Sequence, residues 1–129
     1  MFASECPDDR RPLSQRLAEL PESYSVFAGR AIQVKSVEKW IYETEFAVTK
    51  SWRGVQSSRI TVRSNVYVLG PEFEAGKDYL VFAAGNTGAS WLRADGCTTT
   101  SQLSEAGPWL KVLGKPRYVP GVSNKSAPR

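Results

Sequence analysis

The sequence predicts a mainly β fold, a small closed barrel of five strands with a short helix before it and a second helix after it. Three observations carry that expectation. Period-two alternation of apolar residues recurs in successive stretches from Tyr24 onward, glycine- and serine-bearing turns separate those stretches, and helical spacing is confined to the two ends. Five short, bent strands in a chain of 129 residues cannot hide their edges in a flat sheet, whereas closure removes the edges. The oligonucleotide/oligosaccharide-binding (OB) barrel is the economical form of that closure, and a split sandwich is the competing arrangement.

The first element is RRPLSQRLAELP, read as a short helix. Pro12 suits the first helical position, Leu13, Leu17 and Leu20 recur at helical spacing, and Pro21 prevents continuation. From residue 24 Tyr24, Val26 and Ala28 alternate, Gly29 interrupts, and Ile32 and Val34 resume, which predicts one long strand bent at Gly29. IYETEFAVTKSW predicts a second strand with Tyr42, Phe46, Val48 and Trp52 on one face, and RGVQSS supplies a turn. In SRITVRSNV, Ile60, Val62 and Val66 oppose Arg59, Thr61 and Arg63, the pattern of a half-buried antiparallel strand. DYLVFAAG is apolar on both faces and reads as central, and GNTG turns into the last strand, ASWLRADG. TTTSQLSEAGPWLKVLG predicts a closing helix. Thr99 with Gln102 fits a capping box and Leu103, Ala106, Leu110 and Leu113 form one stripe, with Gly107-Pro108 expected to break or kink it.

Composition narrows the function. The net charge of +4 belongs to the end of the chain: after Glu105 come Lys111, Lys115, Arg117, Lys125 and Arg129 and no acid, leaving the first 105 residues with 12 bases against 13 acids. A phosphate-tracking groove needs its positive charge on the folded body, so nucleic acid is not the expected partner. Residues 1–114 read as the domain and 115–129 as a basic, flexible tail. There is no histidine for general acid–base chemistry or a Ser triad, and no glycine-rich phosphate loop. The spaced carboxylates Glu43/Glu45 and Glu72/Glu74 read as solvated faces, so no enzyme activity and no cofactor are expected. No apolar run approaches the length of a membrane span, and MFASEC lacks the basic and hydrophobic stretches of a signal peptide.

The two cysteines, Cys6 and Cys97, lie 91 positions apart. Two Cys and no His build neither a four-ligand zinc site nor a C-x-x-C redox motif, and no metal site is expected. A long-range disulfide and two unrelated thiols both remain open. If they pair, the compartment is oxidising, and Phe2-Ala3 before Ser4 reads as the remnant of a signal-peptide cleavage site with Met1 added on expression.

SVFAGRAIQV, the Trp52-Arg53-Gly54 turn, LGPEFEAGKDYLVFA and CTTTSQLSEAGPWLKVLG occur in this order and spacing. Together they resemble the inhibitory domain of the tissue inhibitors of metalloproteinases (TIMPs) and the related netrin-like domains, over about Ser4 to Gly114. The resemblance implies the five-stranded barrel already expected. It also implies a cysteine pairing. Family members begin C-x-C, the first cysteine bonding to one just before a G-x-x-F segment and the second to one after the last strand. Here those positions read Ser4-Glu5-Cys6, Leu69 precedes Gly70-Pro71-Glu72-Phe73, and Cys97 follows the last strand. One bond has lost both members, and the resemblance implies that Cys6 and Cys97 form the other.

Family inhibitors present the amino group and carbonyl of the N-terminal Cys to the protease zinc and insert the next side chain into the specificity pocket. The matching residues here are Ser4 and Glu5. The bond that would anchor them is missing, and Glu5 would carry a charge into a pocket that is commonly apolar. The expectation is therefore a secreted or periplasmic, non-catalytic TIMP-like module that binds a protein or envelope component through its loop end, with metalloprotease inhibition as the alternative. Its surface would comprise Ser4, Glu5, Pro7, Leu69, Gly70, Pro71, Glu72 and Phe73, beside residues 86–90. A second alternative stacks bases or sugars on Trp40, Tyr67 and Trp91 near Arg63 and Arg93. Oligomeric state stays open.

A disulfide closing so long a loop stabilises by about 4–5 kcal/mol in the chain-entropy model. Alkylation under denaturing conditions, read by intact mass, is expected to add nothing before reduction and two groups after it. Two additions without reduction would refute the pairing and the secretory argument together.

Overall fold

The first strand pairs with the second on one edge and with the fourth on the other, and that double pairing closes the sheet. The computed structural model describes residues 11–68, 71–85, 91–94 and 100–120. In order, these form α1 (Leu13–Ala18), β1 (Tyr24–Glu38), β2 (Ile41–Arg53), β3 (Arg59–Asn65), β4 (Asp78–Ala84), β5 (Trp91–Arg93), β6 (Ser101–Gln102) and α2 (Gly107–Leu113). Single 3-10 turns, Val66–Val68 and Leu103–Glu105, follow β3 and β6. The strands pair in the order β1-β2-β3-β5-β4-β6, and β1 pairs again with β4. The sheet therefore closes into a ring of five, with β3 and β5 parallel and the other neighbours antiparallel. This is an OB-type barrel. The two-residue β6, absent from the sequence expectation, is an addition on the β4 edge.

β1 reaches both partners because its ladder with β2 is broken four times. Trp52 and Thr49 are extra residues on β2, and Ile32 and Val37 on β1. Each bulge sharpens the local twist and turns the following side chains to the other face. Two sequence expectations change for this reason. Trp52 does not share a face with Phe46 and Val48: the bulge sends it to the outside of the barrel, where its Nε1–H donates to the Gly114 carbonyl at 2.9 Å. Ile32 does not resume the buried face before Val34; it is exposed. The bend itself falls at Gly29, where a Cβ would lie 2.8 Å from the Ala47 carbonyl oxygen.

Two apolar clusters result. Inside the ring, Phe27, Phe46, Phe73 and Tyr79 meet edge to face with centroids 4.8–6.2 Å apart, and Val62, Val81, Ala83 and Leu92 fill the remainder. Outside it, the opposite face of β1 and β4 (Val26, Ala28, Leu80, Phe82) is covered by Leu13, Leu17 and Leu20 and by Leu103, Trp109, Leu110 and Leu113. β4 is thus buried on both sides, as its apolar run predicted. The helix stripe Leu103, Ala106, Leu110 and Leu113 is used as read, and the segment is broken at Gly107-Pro108 as expected: a 3-10 turn ends before it and α2 starts on it. Gln102 belongs to β6 and caps no helix with its side chain, while Thr99 lies outside the described residues.

Residues 115–120, read from sequence as the start of a tail, are tied to β2. Arg117 N–H and Tyr118 N–H donate to the Ser51 carbonyl at 2.8 and 3.0 Å, and Ser51 N–H donates back to Tyr118 at 2.8 Å. Among the described residues no helix is long and apolar enough to cross a membrane.

Two glycine substitutions separate close approach from mere flexibility. Gly29→Ala forces β1 and β2 apart and is expected to cost about 1–3 kcal/mol. Gly107→Ala meets open space at the start of α2 and is expected to leave stability unchanged or raise it by up to about 1 kcal/mol. Denaturant unfolding of both variants measures the contrast.

Candidate binding site

The helices cover the outer face of the ring over β4, the first half of β1 and the Trp52 end of β2, and leave it open over the rest of β2, β3, β5 and the second half of β1. The open face is made by alternation. With Thr44, Phe46, Val62 and Ser64 directed inward, Glu43, Glu45, Arg59, Thr61 and Arg63 are directed outward, and antiparallel register sets Glu43 opposite Arg63. Arg63 donates to Glu43 through Nη2 at 2.5 Å and Nε at 3.2 Å, and Arg59 Nη1 donates to Glu45 at 2.9 Å. The Arg63 guanidinium also stacks on Trp91, 4.8 Å from the ring centroid. The parallel pairing of β3 with β5 supplies that neighbour by setting Trp91 beside Thr61 and Arg93 beside Arg63. A shallow furrow between Gln33, Lys35, Glu43, Glu45 and Thr61 continues the polar surface onto β1.

A second aromatic group stands at the end of this face. Trp40 lies in the two-residue turn between β1 and β2 with φ of 72°, the left-handed region that a bulky side chain rarely adopts. Its carbonyl accepts the Val66 N–H at 2.8 Å, its ring lies 5.5 Å from Tyr67, and the Lys39 ammonium sits 5.4 Å above it. Trp40 and Tyr67 are 46% and 69% exposed.

Of the surface expected from sequence, Ser4, Glu5, Pro7, Leu69, Gly70 and residues 86–90 lie outside the described residues, as do Cys6 and Cys97. Pro71, Glu72 and Phe73 are described, and Phe73 does not present a free surface. Its ring packs between Phe46 and Tyr79 and closes one end of the barrel, fixed by the Glu74 N–H donating to Tyr79 Oη at 2.8 Å. Glu72 is exposed, with no ion-pair partner among the described residues. The aromatic and basic residues of the stacking alternative come together in two groups, Arg63–Trp91 and Trp40–Tyr67. Glu43 and Glu45 were readable as a strand face but not as partners of arginines, because the alternation within each strand does not state the register between them.

Beside Phe73 an open cleft of about 340 Å³ is lined by Val34, Tyr42, Ser64, Glu72, Phe73 and Glu74. The Lys77 ammonium donates to Glu74 at 3.0 Å, and that hydrogen bond, with the charge behind it, raises the lysine above its usual pKa. Among the described residues no group of His, Cys, Asp and Glu side chains is placed to hold a metal ion.

Strand order and the uncovered face together define a barrel of the OB type. No protein-family model matches the chain, and no curated protein is significantly similar to it. Among solved structures, the OB domain of a Methanosarcina mazei protein, determined by solution NMR, is similar at a TM-score of 0.45 and 16% identity, over 64% of this chain and 73% of that one. The fold assignment stands on the strand order.

Trp40→Gly and Tyr67→Ala both delete the aromatic contact, but only the first relieves the left-handed backbone, a strain of about 1–2 kcal/mol. Trp40→Gly is therefore expected to melt above Tyr67→Ala. Thermal melts in the opposite order would show that the turn stores no strain.

Proposed function

We propose that this chain is a non-catalytic binding module, a secreted or periplasmic relative of the TIMP-like and netrin-like domains, that takes a protein partner on the outer face of β2, β3 and β5 and on the β1–β2 turn. One observation carries the reading. Among the described residues the five exposed large hydrophobic side chains, Ile32, Val37, Trp40, Tyr67 and Trp91, all lie on the part of the barrel that the helices leave bare. Trp, Tyr and Arg are the side chains that dominate protein interfaces, because they bury large area at low entropic cost. The face offers Trp91 under Arg63, and Trp40 against Tyr67.

Charge pairing separates this reading from phosphate binding. Arg63 and Arg59 are engaged by Glu43 and Glu45 on the face itself, so a phosphate backbone would have to displace two carboxylates and then lie beside them. A protein partner needs no displacement, since its own polar groups can join the existing pairs at the rim. Metalloprotease inhibition would rest on Ser4 and Glu5 and is a separate route.

A photo-crosslinking residue at position 91, compared with one at Ser14 on the helical side, tests the proposal in extracts of the envelope or secreted fraction. Protein adducts that form from position 91, and disappear with Arg63→Ala, are expected. Salt-resistant quenching of Trp91 by single-stranded oligothymidylate, without protein adducts, would overturn the protein reading in favour of nucleic acid.

A further inference from the structure

Beyond Ala31 the second edge of β1 has no strand beside it. Ala31 itself is closed by the loop before β4, its N–H donating to the Lys77 carbonyl at 2.9 Å and its carbonyl accepting the Gly76 N–H at 2.8 Å. From Ile32 to Glu38 β1 pairs with β2 alone, and among the described residues no other segment bonds to its backbone. The chain closes comparable edges itself. β6 and the Thr100 hydroxyl cover the second edge of β4 at Tyr79, Leu80 and Phe82, and Tyr118 bonds the end of β2 at Ser51. A run of strand with one side bare is a template for a further strand.

Side chains along this edge define the strand that fits it. Outward, Gln33 and Lys35 border the furrow they share with Glu43, Glu45 and Thr61. Lys35 stands opposite Glu43, but that carboxylate is held by Arg63, as Glu45 is held by Arg59. Lys35 is exposed with no ion-pair partner among the described residues, the one charge bordering the furrow that is left unmatched. Inward, Val34 packs against the core and adjoins the open cleft of about 340 Å³, with Glu72, Phe73 and Glu74 among its other walls. An added strand therefore finds room for apolar side chains on its inward side, where carboxylates would face Glu72 and Glu74.

We propose that residues 32–38 of β1 receive an extended acidic segment of the partner protein as an added strand, with a carboxylate beside Lys35 on the outward side and apolar side chains beside Val34 on the inward side. The inference rests on the protein-binding reading above and names the element that the partner contributes. A second copy of this chain is not the occupant. Antiparallel pairing of two copies centred on Val34, Lys35 or Ser36 sets the two Lys35 side chains opposite or diagonal to each other, and like charges so placed destabilise. The bulges at Ile32 and Val37 with a lysine between them are devices by which an edge is kept from pairing with itself. They leave it open to a segment of opposite charge. Main-chain hydrogen bonds then supply affinity, and alternate side chains supply specificity.

The probe is an acetylated, amidated octapeptide of alternating valine and glutamate, titrated into the full chain and followed by amide chemical shifts. Saturable shifts at residues 32–38 are expected. Lysine in place of glutamate is expected to weaken binding about fivefold, the effect of exchanging one exposed ion pair for a like-charge contact. Lys35→Glu lies on the surface, keeps the fold, and is expected to reverse that preference. Two further peptides separate an added strand from a merely charged contact, one methylated on the backbone nitrogens of its valines and the other on those of its glutamates. An added strand turns every second N–H toward β1, so one of the two is expected to lose binding and the other to keep it. Equal binding by both methylated peptides, absence of saturation at millimolar peptide, or shifts confined to another surface would each overturn the proposal. Concentration-dependent shifts at residues 32–38 in the free chain would overturn it in favour of a second copy. Protein adducts from position 91 alongside any of these results would leave the protein-binding reading standing, so the two fail separately.

Discussion

The whole arrangement depends on β1 pairing with two strands over its first half and with one over its second. Between Val26 and Arg30 it lies between β2 and β4, and beyond Ala31 it follows β2 alone. A straight strand could not do both, because the twist that brings β4 alongside would carry the far end away from β2. The bulges at Trp52, Thr49, Ile32 and Val37 and the absence of a side chain at Gly29 supply the bend. Ring closure at β3 and β5 follows, over only three residue pairs.

That bend also decides what is covered. It presents the outer side of β1 and β4, with Trp52 at the end of β2, as one apolar patch, which α1 and α2 cover, and it leaves the second half of β1 with the rest of β2, β3 and β5 exposed to solvent. Polar side chains on the bare side are held by one another in cross-strand pairs, Glu43 with Arg63 and Glu45 with Arg59, each exposed enough to be worth little to stability. Their value lies in orientation. A guanidinium fixed by a carboxylate and stacked on Trp91 is already ordered when a partner arrives, and less entropy is lost on binding.

Much of the fold was legible because local patterns agreed with the final packing. α1 has its leucines at helical spacing and those leucines are used, and β4 reads as apolar on both faces and is buried on both. What was not legible has physical causes that local pattern does not record. A bulge adds a residue without leaving a mark in composition, so Trp52 and Ile32 were assigned to faces they do not occupy. The Glu43–Arg63 pairing lies in an unbroken ladder, whose register neither strand states by itself. A two-residue strand such as Ser101–Gln102 gives too short a pattern to see, and Pro108 has the same letter whether it ends one helix or begins another. Phe73 looked like a loop residue for binding because nothing nearby in sequence predicts the aromatic partners that enclose it. Thr44 and Ser64 looked ordinary in their strands, and only the three-dimensional ladder shows that both are buried, Thr44 Oγ1 with no partner among the described residues.

Native-state hydrogen exchange tests the double pairing of β1 most directly. If the bent strand holds the ring together, the ladder amides of Val26 to Arg30 exchange together with those of Leu80 to Phe82, at the slowest rates in the chain and with the free energy of global unfolding. Beyond Ala31, amides bonded to no neighbouring strand exchange orders of magnitude faster than those bonded to β2. Rapid exchange across Val26 to Arg30, with protection concentrated instead in the hairpin of β1 and β2 beyond Ala31, would contradict the account, because the strand would then be anchored by one partner and the ring would be open.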